Sequence, residues 1–269
     1  LYDVTEAAVH DALPTAYFGG PATTGTDLPD GNAALFLDAF LAHVKGGTNY
    51  HSGLTGTRVD FLSFHTKGGI YNTTLRHQKQ LPTIELFLAN VRVATAIIRK
   101  YGYDSLEICL SEADPDSWAA GGRYDNFNLN FRNTEYFASY VACSYERLYD
   151  LAEELGMDLR PLAWTFAFDW ERLFEGMRTF TTRGVDKAVF NLFKLYARLG
   201  SERVAAQVEG AVQDPDGTYT GVWAFLADAP GSGEKQTLQV CVVRHHDDWD
   251  VDSDALVRLH IEGLPTDGA

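Results

Sequence analysis

Four near-continuous apolar runs, separated by amphipathic helical patterns, constrain the fold of this chain more than any other feature. The runs are TAYFGGP (15–21), VDFLSFHTKG (59–68), LEICLSEADP (106–115) and RPLAWTFAFDW (160–170). Runs apolar at successive positions are buried on both faces, the habit of parallel sheets. Between them, Leu35, Phe36, Ala39 and Phe40 mark one helix, and Ile84, Phe87, Leu88, Val91 and Ile98 the next. A third carries Phe137, Tyr140, Val141, Ser144, Leu148, Leu151 and Leu155 and stops at Gly156. A fourth is expected from about Asp186, a good N-cap residue, through Leu192, Phe193, Tyr196 and Leu199 to Gly200. This alternation is a βα array. A helical pattern over residues 2–13 precedes it, as if an earlier strand lay upstream.

Beyond Gly200 the pattern changes to strands and turns. VEGAV (208–212), YTGVWAFLA (219–227), LQVCVVRHH (238–246) and LVRLHIEGLP (256–265) read as strands, with turn chemistry at DPDG (214–217) and APGSG (229–233). In the last, Val257, Leu259 and Ile261 alternate with Arg258, His260 and Glu262, a half-buried antiparallel pattern. Two domains are expected: residues 1–202, a partial α/β unit, and residues 203–269, part of a β-sandwich.

With 269 residues, 45% of them hydrophobic, a sizeable core is available. The net charge of -15 argues against nucleic acid and anionic membranes as partners, since both are bound through Lys/Arg clusters. No apolar run reaches the length of a membrane span. Cys109, Cys143 and Cys241 form no Cys-x-x-Cys pair, so neither a zinc ribbon nor a redox motif is suggested. In RHHDD (244–248) adjacent residues on a strand point to opposite faces, which argues against one metal ion held by all of them. The sequence leaves compartment and oligomeric state open.

In βα barrels, catalytic groups sit at the C-terminal ends of strands. Three of the four runs end that way: at His65, at Glu112, and at Trp164 followed by Asp169 and Glu171. Each alone has an ordinary reading, as a core histidine, a solvated strand cap or a core aromatic. Their convergence at successive strand ends is what points to a site.

The segments YFGGPATTG (17–25), RVDFLSFHTKGG (58–69), CLSEADPDSW (109–118), LAWTFAFDWERLFEGMRTF (162–180) and GVDKAVFNLFKLYARLG (184–200) come in the order and rough spacing of glycoside hydrolase family 39. The chain resembles that family, of β-xylosidases and α-L-iduronidases, over nearly its whole length. The resemblance implies the C-terminal half of a (β/α)8 TIM barrel, strands 5–8, followed by part of an accessory sandwich. It implies Glu112 as catalytic nucleophile and His65 at the preceding strand end, bonded to the nucleophile or to a sugar hydroxyl. Trp164 would be the floor of the sugar subsite, with Asp169 and Glu171 as sugar-binding acids. It implies no cofactor and a xylose-containing oligosaccharide or glycoside as substrate. Retention needs two carboxyl groups about 5–5.5 Å apart. The family draws its acid from an Asn-Glu-Pro type motif after strand 4, and this chain has no Asn-Glu dipeptide. Strands 1–4 and the general acid are therefore expected outside it, leaving the chain alone inactive. The rival expectations are a non-catalytic carbohydrate-binding protein on a degenerate barrel and an α-L-iduronidase-like hydrolase. The latter needs a basic sugar subsite, against which the acidic balance speaks.

Overall fold

The computed structural model describes all residues except 27, 70–72, 119, 210–216, 229–235, 253 and 264–269. The βα array is present. In chain order it runs α1 (Tyr2–Ala12), β1 (Gly19–Thr23), α2 (Asn32–Gly46), β2 (Phe61–Lys67), α3 (Ile84–Lys100), β3 (Ile108–Asp114), α4 (Glu135–Leu155) and β4 (Leu159–Pro161). The four strands form one parallel sheet in the order β1-β2-β3-β4.

Helices α3 and α4 are bounded by residues whose side chains or backbone suit the position. Thr83 caps α3 by accepting the Leu86 N–H, and Thr134 caps α4 by accepting the Tyr136 N–H. Gly156 ends α4 in the left-handed conformation at φ 64°, which a glycine adopts without the Cβ penalty. Ile84, Phe87, Val91, Ala94 and Ile98 of α3 have no exposed surface. Burying each of the large ones contributes about 1.5–3 kcal/mol. They pack with Leu62 and Phe64 of β2 and with Ile108 and Leu110 of β3 in the main core.

The fourth run differs from expectation. Only Leu159–Pro161 is strand, and backbone pairing to β3 ends at Leu162. Residues 163–170 continue as an irregular segment, held on the other side where the Phe166 N–H donates to the Arg178 carbonyl. A two-stranded hairpin follows, β5 (Thr181–Thr182) with β6 (Val185–Asp186). The next helix, α5 (Ala188–Tyr196), starts later than expected, with Lys187 at its N-cap and no side-chain cap. Asp186 instead ion-pairs with Lys194.

The C-terminal sheet has three antiparallel strands, β7 (Glu202–Val204), β8 (Thr218–Asp228) and β9 (Gln236–His246), in that order. YTGVWAFLA and LQVCVVRHH are strands as expected. VEGAV and DPDG lie partly and APGSG wholly outside the described residues, and the strand preceding them is β7. Helix α4 covers the sheet. His245 meets Tyr136 and Tyr140, Gly221 lies against the Glu146 carboxylate, and Trp223 meets Tyr149. A helix thus occupies the face that a sandwich gives to a second sheet, and no second sheet is present among the described residues. The alternation over 256–263 forms no strand there, and Leu256 is 84% exposed. Alternation supplies a face but not a partner strand to hydrogen-bond with.

Candidate active site

The site lies on the sheet face turned away from the helices. Across β2 and β3 the paired residues are Ser63–Cys109, Phe64–Leu110, His65–Glu112, Thr66–Ala113 and Lys67–Asp114. Pairing skips Ser111, so β3 carries one residue more than β2 there. That extra residue has a large consequence. Ile108, Leu110, Glu112 and Asp114 share one parity in the sequence and would all face the helices in a regular strand. The bulge reverses the parity after Leu110. Leu110 is fully buried, Ala113 takes over the core-facing position at 1% exposure, and Glu112 and Asp114 come round beside His65 and Lys67.

Lys67 joins the two carboxylates. Its Nζ donates to Glu112 Oε2 at 2.6 Å and to Asp114 Oδ2 at 2.7 Å. His65 Nδ1 stands 3.7 Å from Glu112 Oε2, near but not hydrogen-bonded. Burial pushes the His65 imidazole below its usual value, against the pull of the Glu112 charge, so the ring is biased toward its neutral form. The side chains of Glu112 and His65 keep 20% and 19% exposure, whereas those of Lys67 and Asp114 keep 4% and 1%. A ligand reaching this face therefore meets Glu112 and His65, with Lys67 and Asp114 behind them. Gly68 follows Lys67 because a Cβ there would lie 1.8 Å from the Tyr140 hydroxyl.

A second layer comes from further along the chain. Arg178, 1% exposed at its side chain, donates from Nη1 to Asp114 at 3.2 Å and from Nη2 to the Asp116 carbonyl at 2.6 Å, with Nη1 3.8 Å from Glu112. Its guanidinium lies over the Trp164 ring, 4.9 Å from the centroid, and the Trp164 N–H donates to Asp114 Oδ1 at 3.1 Å. Asp116 is buried between Arg178 and Arg132, with Arg132 Nη2 at 2.5 Å. Burial alone would raise the Asp116 carboxyl, but Arg132 and Arg178 together hold it below the usual carboxylate range. Three cations, Lys67, Arg132 and Arg178, thus interlock with three acids, Glu112, Asp114 and Asp116.

Of the residues expected from sequence, His65, Glu112 and Trp164 are brought together. Glu171 is not part of that group. It is 5% exposed, and its carboxylate accepts from the Thr179 hydroxyl at 3.0 and 3.2 Å and lies 3.6 Å from Lys187 Nζ. Burial pulls the Lys187 ammonium down to about 8, with Glu171 opposing the shift. Asp169 is exposed, in the turn beside Trp170. Lys67, Asp114, Arg132 and Arg178 were not anticipated as site residues. Asp114 carried a signal, since the apolar run breaks into Glu112, Asp114 and Asp116. Arg178 carried none, standing 66 residues beyond Glu112.

A model of the glycosyl hydrolases family 39 matches residues 1–266. The chain belongs to that family. Mouse α-L-iduronidase is 24% identical over 98% of the chain and 42% of the mouse protein. Dog α-L-iduronidase is 32% identical over 29% of the chain and 12% of its own length. Two solved structures share the fold. A bacterial orthologue of human α-L-iduronidase superposes with a TM-score of 0.67 at 18% identity, over 93% of this chain and 40% of that one. A monomeric β-xylosidase from Caulobacter crescentus CB15 gives 0.55 at 19% identity, over 86% and 43%. This family 39 chain therefore spans less than half the length of these relatives.

Proposed function

We propose that this chain supplies the nucleophile side of a retaining glycosidase active site, with Glu112 attacking the anomeric carbon of a sugar whose carboxylate is read by Lys67 and Arg178. The observation that carries this reading is the pair of cations within 2.6 and 3.8 Å of a partly exposed strand-end carboxylate. A neutral pentose offers such cations only hydroxyl and ring oxygens, whereas a uronate carboxylate gives them charge-assisted bonds about twice as strong, and Arg and Lys both suit it. In the resting site Lys67 restrains Glu112. A substrate carboxylate that engages Lys67 would loosen that ion pair and free the nucleophile for attack. Trp164, fixed by Asp114 and Arg178, offers an apolar surface to one sugar face. Asp114 is saturated by Lys67, Arg178 and the Trp164 N–H, so it does not qualify as the general acid. That acid is assigned to residues outside this chain.

A neutral xyloside is the second reading. It is favoured by the burial of Lys67 and Arg178, whose charges are already met by Glu112, Asp114 and Asp116. A test needs a leaving group that departs without acid help. Incubation with 2-deoxy-2-fluoro glycosyl fluorides, one uronyl and one xylosyl, followed by peptide mass spectrometry, should label Glu112 with the uronyl reagent. Labelling by the xylosyl reagent alone selects the second reading. Labelling at another carboxylate refutes Glu112 as nucleophile, and no labelling by either favours a non-catalytic carbohydrate-binding protein.

A further inference from the structure

The segment that leaves the parallel sheet after β4 carries a feature of which the proposed chemistry uses only the inner end, Trp164. Trp164, Phe166, Phe168 and Trp170 alternate with Thr165, Ala167 and Asp169. Successive ring centroids lie 4.0, 5.4 and 5.4 Å apart, so each of the four aromatic rings touches the next in one contiguous series. The line opens outward: Trp164 and Phe168 are half-buried, Phe166 is 40% exposed and Trp170 is 62% exposed. A contiguous exposed aromatic strip is uncommon on a protein surface and marks a place where something binds.

We infer that this strip is a track for further sugar units of the substrate, leading away from the sugar held at Glu112. The inference rests on the glycosidase reading of that site. Its inner end is the site itself, because the Arg178 guanidinium lies over the Trp164 ring and Asp114 accepts the Trp164 backbone N–H. Each step along it is comparable to the width of a pyranose ring, and a pyranose presents C–H groups to an aromatic face while its hydroxyls reach sideways. Polar groups stand there to meet them. Asp169 is exposed beside Trp170, and Arg172 stands two residues further along the same turn, its guanidinium over the Tyr124 ring at 5.1 Å. Such interleaving of aromatic and charged groups suits a glycan better than the apolar face of a second copy of the chain.

The track is also prebuilt. The Phe166 N–H donates to the Arg178 carbonyl at 3.0 Å, and the Glu171 N–H closes the turn on the Phe168 carbonyl at 3.0 Å. Arg183 Nε donates to the Glu171 carbonyl at 2.9 Å, while Thr179 and Lys187 hold the Glu171 carboxylate from beneath. Glu171 is therefore a positioning residue: it anchors the outer turn that presents Asp169 and Trp170. Rings already held in place lose little freedom when a ligand arrives.

The test is a calorimetric titration of this chain with two pairs of ligands, xylose with xylotriose and iduronic acid with an iduronate-terminated trisaccharide. For the pair whose single sugar binds, the trisaccharide is expected to bind about tenfold tighter, the scale of one or two aromatic contacts. Trp170→Ala should remove that gain and leave the single sugar's affinity unchanged, and Trp170→Phe should recover part of it. An unchanged denaturation midpoint checks that the variants fold. Equal affinities for the single sugar and the trisaccharide, with the single-sugar affinity lost in Trp164→Ala, overturn the track and leave the site reading standing. No binding of either single sugar overturns the site reading and the track with it. Concentration-dependent dimers abolished by Trp170→Ala overturn the track in favour of a second copy as occupant.

Discussion

The two faces of the β2–β3 pair are made from the same fourteen residues and do opposite things. Toward the helices stand Leu62, Phe64 and Thr66 beside Ile108, Leu110 and Ala113, all buried and nearly all apolar. Away from them stand Ser63, His65 and Lys67 beside Cys109, Glu112 and Asp114, polar and partly open. The first face stabilises the fold by removing apolar surface from water. The second places like charges side by side and tolerates them only because Lys67 and Arg178 intervene. The apolar and polar faces are thus separated by the thickness of one strand, and the bulge at Ser111 is what assigns Glu112 to the polar side.

That separation can be broken from either side. With Glu112 read as the nucleophile, the largest effect is expected from Glu112→Ala. Turnover should fall by about three orders of magnitude or more, as for other members of a cooperating catalytic set, while the urea midpoint of unfolding stays near that of the parent. On the opposite face, Phe64→Ala should cost about 3–5 kcal/mol of stability through the cavity it leaves, read by denaturant titration. Asp114→Asn tests whether the polar face is held by its ion pairs. Removing that charge leaves Lys67 and Arg178 buried with one countercharge fewer, at a cost of about 3 kcal/mol. An Asp114→Asn variant as stable as the parent would mean that the polar face is not held together by these pairs.

The smallest effect concerns the seam between α4 and the C-terminal sheet. Burial raises the Glu146 carboxyl from 4.5 to about 7, with Arg147 only partly opposing it. The folded state then holds a proton that the unfolded state has released. The contribution of Glu146 is fully present below pH 4.5 and is lost as pH rises through 7, at up to about 1.4 kcal/mol for each unit of displacement. Glu146→Gln should flatten this slope in denaturation measured across pH 4.5 to 7.

Much of this layout is legible in the sequence, for identifiable reasons. Apolar runs long enough for buried strands, with capped helices between them, specify the βα array. The abrupt passage from Leu110 to Glu112 marks a strand end. The side on which Glu112 emerges is not legible, since parity alone assigns it to the core and only the pairing with β2 reveals the extra residue. Arg178 is brought in by a loop whose path depends on Asp114 and Asp116, a tertiary fact with no local signature. The net charge of -15 gives no sign that Lys67, Arg132 and Arg178 gather with Glu112, Asp114 and Asp116, because three positive and three negative groups cancel. The last alternating stretch, 256–263, failed as a strand because a pattern of side chains cannot supply the backbone partner that a ladder requires.

The assignment of Glu112 as nucleophile is tested most directly by chemical rescue. In Glu112→Ala the lost carboxylate leaves room for a small anion, and a glycosyl substrate with a leaving group that needs no acid removes dependence on any other residue. Azide should then restore part of the rate, and the product should be the glycosyl azide of inverted anomeric configuration, because the anion attacks from the face Glu112 occupied. A rescued azide of retained configuration, or near-parental turnover by Glu112→Ala without azide, would contradict the account.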